Sequence, residues 1–254
     1  MAVPELSRRL ALWSLLLAGI VTLPLFAQSG VKMAASLVQI AEMETKGVAV
    51  RLDATDAYRL ALLKMKGQLS VARALLQLRA SGVDHHLGRP LQSIFRDTES
   101  ELDRRGAPFT ADILQELENA PAGGAERALA TVELAVTAIN GSFAQTGALD
   151  PESVLALAEA LLREAVADYA AAVADNEVVD LPRYQSGRGL VTEAEVLVRH
   201  ASGLKGKPGH SELLDVVTLI RQAWPGIIPP PIVFDPLDVA GRLDEAIAAM
   251  EQLR

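Results

Sequence analysis

The sequence predicts an all-α protein, an antiparallel bundle of about eight helices that follows an N-terminal signal or anchor segment. Three observations carry this expectation. Half of the 254 residues are hydrophobic but only 4% are aromatic, so the apolar content is mostly Ala, Leu and Val, a mixture that favours helix over sheet. Apolar residues recur in alternating steps of three and four along much of the chain, the period of a helix with one buried face. Asp-Pro pairs and isolated glycines punctuate these stripes where helices would begin and end.

The first element is a targeting segment. Arg8 and Arg9 precede an uncharged run of 18 residues, Leu10 to Ala27, in which Pro24 stands near the end and the small residue Ala27 precedes Gln28-Ser29-Gly30. A basic start, an apolar middle and a small residue at the break are the order of a secretory signal. The run also reaches the lower end of what spans a bilayer, and Leu25 is large where a small residue is preferred. Two readings stay open, a cleaved signal over residues 1–27 or an uncleaved anchor at residues 10–27. Residues 28–254 then form a single all-α domain.

Lys32 to Lys46 reads as a short helix ended by Gly47. Tyr58, Leu62, Met65, Leu69, Ala72 and Leu76 mark the next, with Asp53 or Thr55 as N-cap and Gly82 as its stop; Arg59, Lys66 and Arg73 recur on another face. Ser81 to Arg89 reads as a polar loop. Pro90 then opens a helix striped by Leu91, Ile94, Phe95, Thr98 and Leu102 and stopped at Gly106. Thr110 caps a short helix through Ile113, Leu114 and Leu117, and Pro121-Ala122-Gly123-Gly124 breaks the chain.

Leu129, Val132, Val136, Ile139 and Phe143 form the following stripe. Asp150-Pro151-Glu152 supplies a cap, a proline in the first turn and an acidic first turn for a long helix to about Ala174, with Val154, Ala158, Leu161, Ala165, Tyr169 and Val173 inward. Arg183 to Gly189 reads as irregular, followed by helical spacing at Leu190, Ala194, Leu197 and Ala201. Gly203 to Gly209 is the loop richest in turn residues. Leu213, Val217, Ile220 and Trp224 mark a helix before the proline-rich stretch at Pro229–Pro231, and Asp235-Pro236 opens the last, with Ala240, Leu243, Ile247 and Met250 inward.

Composition narrows function by exclusion. The formal net charge is -8, and losing residues 1–27 would leave 22 basic against 31 acidic groups, so a nucleic-acid partner is disfavoured. The absence of cysteine excludes disulfides, thiolate metal sites and a catalytic thiol. No GxSxG, GxxxxGK[ST], GxGxxG, HExxH or EF-hand pattern occurs. A carboxylate-bridged di-metal bundle would need Glu-x-x-His pairs on one helical face, and none exists.

Three places retain chemistry. His85 and His86 are adjacent, with Asp84 and Arg89 near; a transition-metal site there would need a further ligand from His200, His210 or Glu99, since adjacent histidines seldom chelate one ion together. Tyr184, Gln185 and Arg188, flanked by Gly187 and Gly189, offer directional hydrogen bonds to a small ligand. Gln68 lies beside the apolar stripe of its helix, where its amide would face either the bundle interior or water.

The layout, a signal segment followed by an alanine-rich, cysteine-free bundle, resembles that of helical proteins of bacterial envelopes, some of which handle metals. The resulting expectation is an exported, periplasmic, non-catalytic protein that binds a metal ion, a small ligand or an envelope protein, touching membrane only through residues 10–27 if these stay attached. The alternatives are an enzyme with a scattered site using His86 as base, and a membrane-anchored scaffold.

Overall fold

A computed structural model describes residues 50–254, so the targeting segment and the expected Lys32–Lys46 helix lie outside the described residues. The chain is mostly helical, as expected. Eight longer α-helices, one single-turn α-helix and a 3-10 turn at Ala120–Gly123 are present among the described residues, the α-helices being α1 (Ala54–Leu78), α2 (Val83–Leu87), α3 (Arg89–Arg105), α4 (Ala111–Asn119), α5 (Ala125–Ala144), α6 (Pro151–Ala172), α7 (Leu181–His200), α8 (His210–Arg221) and α9 (Pro236–Leu253).

Aspartates start four of them. The carboxylates of Asp53, Asp150, Asp180 and Asp235 accept from the backbone N–H groups of Asp56, Ser153, Arg183 and Leu237, satisfying donors that a helix cannot pair internally. In α6, α7 and α9 a proline follows in the first turn, where its missing N–H is harmless.

The stripes largely face the core. Every inward residue expected on α6 is buried, and so are all six on α1. On α5 the inner face is rotated slightly: Ala128, Val132, Ala135, Ala138, Ile139 and Ser142 are buried, while Leu129, Val136 and Phe143 are only partly so. Small residues at the contact let neighbouring helices come close, leaving the larger side chains to fill the flanks. Helix α1 is central, touching α2, α3, α5, α6 and α7. The most extensive pairing is α6 with α7, and α8 and α9 pack against each other and onto that pair.

Four local expectations need correction. Helix α1 ends at Leu78, with Arg79 in the left-handed region, rather than at Gly82; Gly82, at φ 96°, instead starts α2. The Ser81–Arg89 stretch is therefore not a plain loop. Residues Arg183–Gly189 are regular helix, because Asp180 caps it and Pro182 falls in the first turn. Finally, α6 runs into a two-residue hairpin, Val173–Ala174 with Glu177–Val178, turned by Asp175 and Asn176 at φ 51° and 62°, the paired positive φ values of a type I′ turn. Asn176 ties the hairpin down: its amide N–H donates to the Val233 carbonyl, and its own carbonyl accepts from Val233 N–H.

Candidate functional site

Helix α2 places His86 between α1 and α7 with none of its surface exposed. Its Nδ1 lies 2.8 Å from Gln68 Oε1 and its Nε2 3.0 Å from Gln185 Oε1. Gln185 Nε2 donates to the Ile227 carbonyl, and Gln68 Nε2 donates to Ser186 Oγ. Three residues singled out from distant parts of the sequence, Gln68, His86 and Gln185, thus meet in one buried network.

Burial pushes the His86 imidazole down to about 4, against the opposing pull of its Gln185 bond, so the ring is neutral at physiological pH. A neutral imidazole has one donor and one acceptor nitrogen. Gln185 is oriented by Ile227, so Nε2–H donates to it. The neutral ring is then fully bonded when the Gln68 amide turns its N–H toward Nδ1, which Ser186 tolerates because a hydroxyl both donates and accepts.

The other residues singled out are placed elsewhere. His85 is exposed and meets His86 edge-on at 5.2 Å between ring centres; Arg89 and Glu99 are exposed. Both His86 nitrogens are engaged by glutamines, and no three His, Asp or Glu side chains gather at ligating distance among the described residues. Tyr184 is enclosed in an aromatic group with Tyr169 and Trp224, whose Nε1–H donates to the Tyr184 carbonyl at 2.8 Å. Arg188 is half-buried, and its Nε has no hydrogen-bond partner among the described residues.

Two cavities flank α1. One, of about 430 Å³, adjoins the His86 network and has a mixed lining, in which Lys64, Gln68, His85, Glu164, Asp168 and Arg183 are among the polar walls, beside Ile94 and Leu190. Lys64 Nζ pairs with Glu164 at 2.9 Å. Burial, aided by the neighbouring Glu164 charge, pushes the Asp168 carboxyl up to about 6.

The other cavity, of about 340 Å³, lies between α1, α5, α6 and α7 and is mainly apolar, with Leu62, Ile139, Phe143, Val154 and Leu197 in its walls. Its polar groups include Lys66, Asn140, Glu193 and His200. Glu193 is only 4% exposed, and burial holds its carboxyl above the usual carboxylate range, with Lys66 pulling the other way. Lys66 Nζ stands 3.0 Å from Glu193 Oε2. The ammonium is at charge-assisted hydrogen-bond distance, and no other side chain bonds to Glu193 among the described residues.

A third hollow, lined by Asp53, Asp56, Glu159, Arg163 and Arg254 among others, is acidic on balance and has its buried acids paired. Arg59 pairs with Asp56 at 2.8 Å, and Arg163 and Arg254 both pair with Glu159, at 2.8 and 2.7 Å.

Sequence reasoning passed over Lys66 and Glu193 as a pair. A signal for Glu193 existed: it stands three residues after Leu190 and four before Leu197, on the inward stripe of α7. Nothing in the sequence showed that Lys66, on another helix, would reach it. No family model, curated protein or solved structure matches this chain, so the reading of the site rests on its chemistry.

Proposed function

We propose that this chain is an exported, non-catalytic binding protein that holds a small organic molecule in the apolar cavity between α1, α5, α6 and α7. The observation that carries the reading is the cavity itself: about 340 Å³, walled by aliphatic side chains and Phe143, with one buried carboxylate and few other polar groups. Concave, mostly apolar hollows of this size with a few converging polar groups are the usual form of small-molecule sites. A perturbed carboxyl in such a hollow strengthens the case.

Export rests on Arg8, Arg9 and the Leu10–Ala27 run. Among the described residues no helix is long and apolar enough to cross a membrane, so a membrane-anchored form would depend on residues 10–27. Fractionation of cells with a high-salt membrane wash separates the two: release with the soluble envelope fraction supports a cleaved signal, and retention supports the anchor. The hydrolase reading is weaker, because His86 has no open ring nitrogen with which to act on a substrate.

Binding is tested with a neutral fluorescent probe, N-phenylnaphthylamine, against the full chain and an Ala201→Phe variant. Ala201 is buried and lines the cavity, so the added ring fills it. Saturable fluorescence enhancement that the substitution abolishes supports the reading. No enhancement, or enhancement equal in both proteins, overturns it.

A further inference from the structure

We infer that the ligand of this cavity is an organic amine, an apolar body carrying an ammonium head that Glu193 receives. The inference rests on the binding reading above and adds the chemical class. It begins with an imbalance at Glu193. An ionised carboxylate accepts about four hydrogen bonds, and buried polar groups are almost always bonded. Glu193 is 4% exposed, and among the described residues its one side-chain partner is the Lys66 ammonium, 3.0 Å from Oε2. One partner leaves most of that accepting capacity unfilled, and a ligand ammonium brings three donors.

Lys66 does not close this gap permanently. Its side chain is 26% exposed and sits on a flexible four-carbon stem, so its ammonium can move into water while the stem keeps covering apolar surface. A ligand ammonium can then take its place on Glu193. The aliphatic wall formed by Leu62, Val154 and Leu197 would enclose the rest of the molecule.

The competing ligand classes fare worse. A carboxylate directed at Lys66 would stand close to Glu193, and two carboxylates in one buried site cannot both stay ionised, so binding would require uptake of a proton. A neutral alcohol would provide a single donor and no charge. The net charge of -8 acts in the same direction at longer range, drawing cations toward the surface and repelling anions.

The test is calorimetric titration of the full chain with three ligands of matched size: phenethylamine, hydrocinnamate and phenethyl alcohol. The expected result is that the amine binds about tenfold more tightly than the other two. Glu193→Gln should lower amine affinity by about tenfold and leave the alcohol unchanged. Lys66→Met removes the competitor for Glu193 and should strengthen amine binding, a gain that a damaged fold would not give. Hydrocinnamate binding best, or an amine indifferent to both substitutions, overturns the ligand class while leaving the cavity as a binding site. If none of the three binds more tightly to the wild type than to Ala201→Phe, the cavity reading itself falls and the amine inference with it.

Discussion

The two glutamines around His86 make that residue expensive to remove. His86→Ala would leave a void and strand the facing groups of Gln68 and Gln185 without water, so we expect a loss of roughly 3 kcal/mol in urea unfolding at neutral pH. The same residue gives a pH dependence. Its pKa falls from 6.5 to about 4 on folding, so between these values the unfolded chain binds more protons and stability declines as pH is lowered. The full contribution is present above pH about 6.5, and roughly 3 kcal/mol is lost by pH about 4. His86→Ala should lack this portion of the acid sensitivity. A variant as acid-sensitive as the wild type would show that His86 is not the titrating group.

Asp168 works in the opposite sense. Its carboxyl rises to about 6 on folding, so the folded chain binds the extra proton, and stability declines as pH rises from about 4 to 6. Asp168→Asn should therefore stabilise at pH 7, by about 1 kcal/mol once partial exposure and solvent screening are discounted, and have little effect at pH 3.5. Thermal melting at both values checks this. Equal effects at the two pH values would remove titration as the cause.

At the scale of elements, α7 shows how glycine misleads. Gly187 and Gly189 suggested an irregular stretch, yet both are helical and serve close packing. A Cβ on Gly189 would stand 2.6 Å from the Gly67 carbonyl oxygen, and one on Gly187 would stand 2.9 Å from Trp224 Cζ2 and 3.0 Å from the Ala165 carbonyl oxygen. Helix α7 thus meets α1 on one side and α6 with Trp224 on the other through absent side chains. Gly189→Ala gains about 1 kcal/mol of helix propensity but forces backbone apart at about 3 kcal/mol or more. We expect a net loss of about 2 kcal/mol in chemical denaturation, and a neutral or stabilising result would show that the crossing relaxes freely. A helix-breaking residue and a helix-contact residue look alike in one sequence, because the deciding partner, Gly67, lies more than a hundred positions away. The Asp-Pro starts and the apolar stripes were legible because both their cause and their signal are local. The Gln68–His86–Gln185 network was legible only as separate polar residues, since its three members come from three helices.

For the whole molecule, the position of α1 decides how the bundle comes apart. The core built by α1 to α5 and the pairing of α6 with α7 both use α1, which contributes Leu62, Met65 and Leu69 to the first and Gly67 to the second. Losing α1 would strip buried apolar surface from both sides at once, so neither side has a partner with which to remain folded, and unfolding should be a single cooperative transition. Trp224 offers a local reporter, being fully buried against Tyr169 and Tyr184 on the α6–α7 side, while far-ultraviolet circular dichroism reports helix throughout. With Trp13→Phe, so that Trp224 alone fluoresces, the two urea transitions of residues 28–254 and of the full chain should coincide in midpoint and slope. Gly189→Ala should shift both transitions together, because it acts at the contact through which α1 joins the α6–α7 pair. A fluorescence change preceding the loss of helix would mean that the α6–α9 side opens first, and that α1 belongs to the α2–α5 side alone.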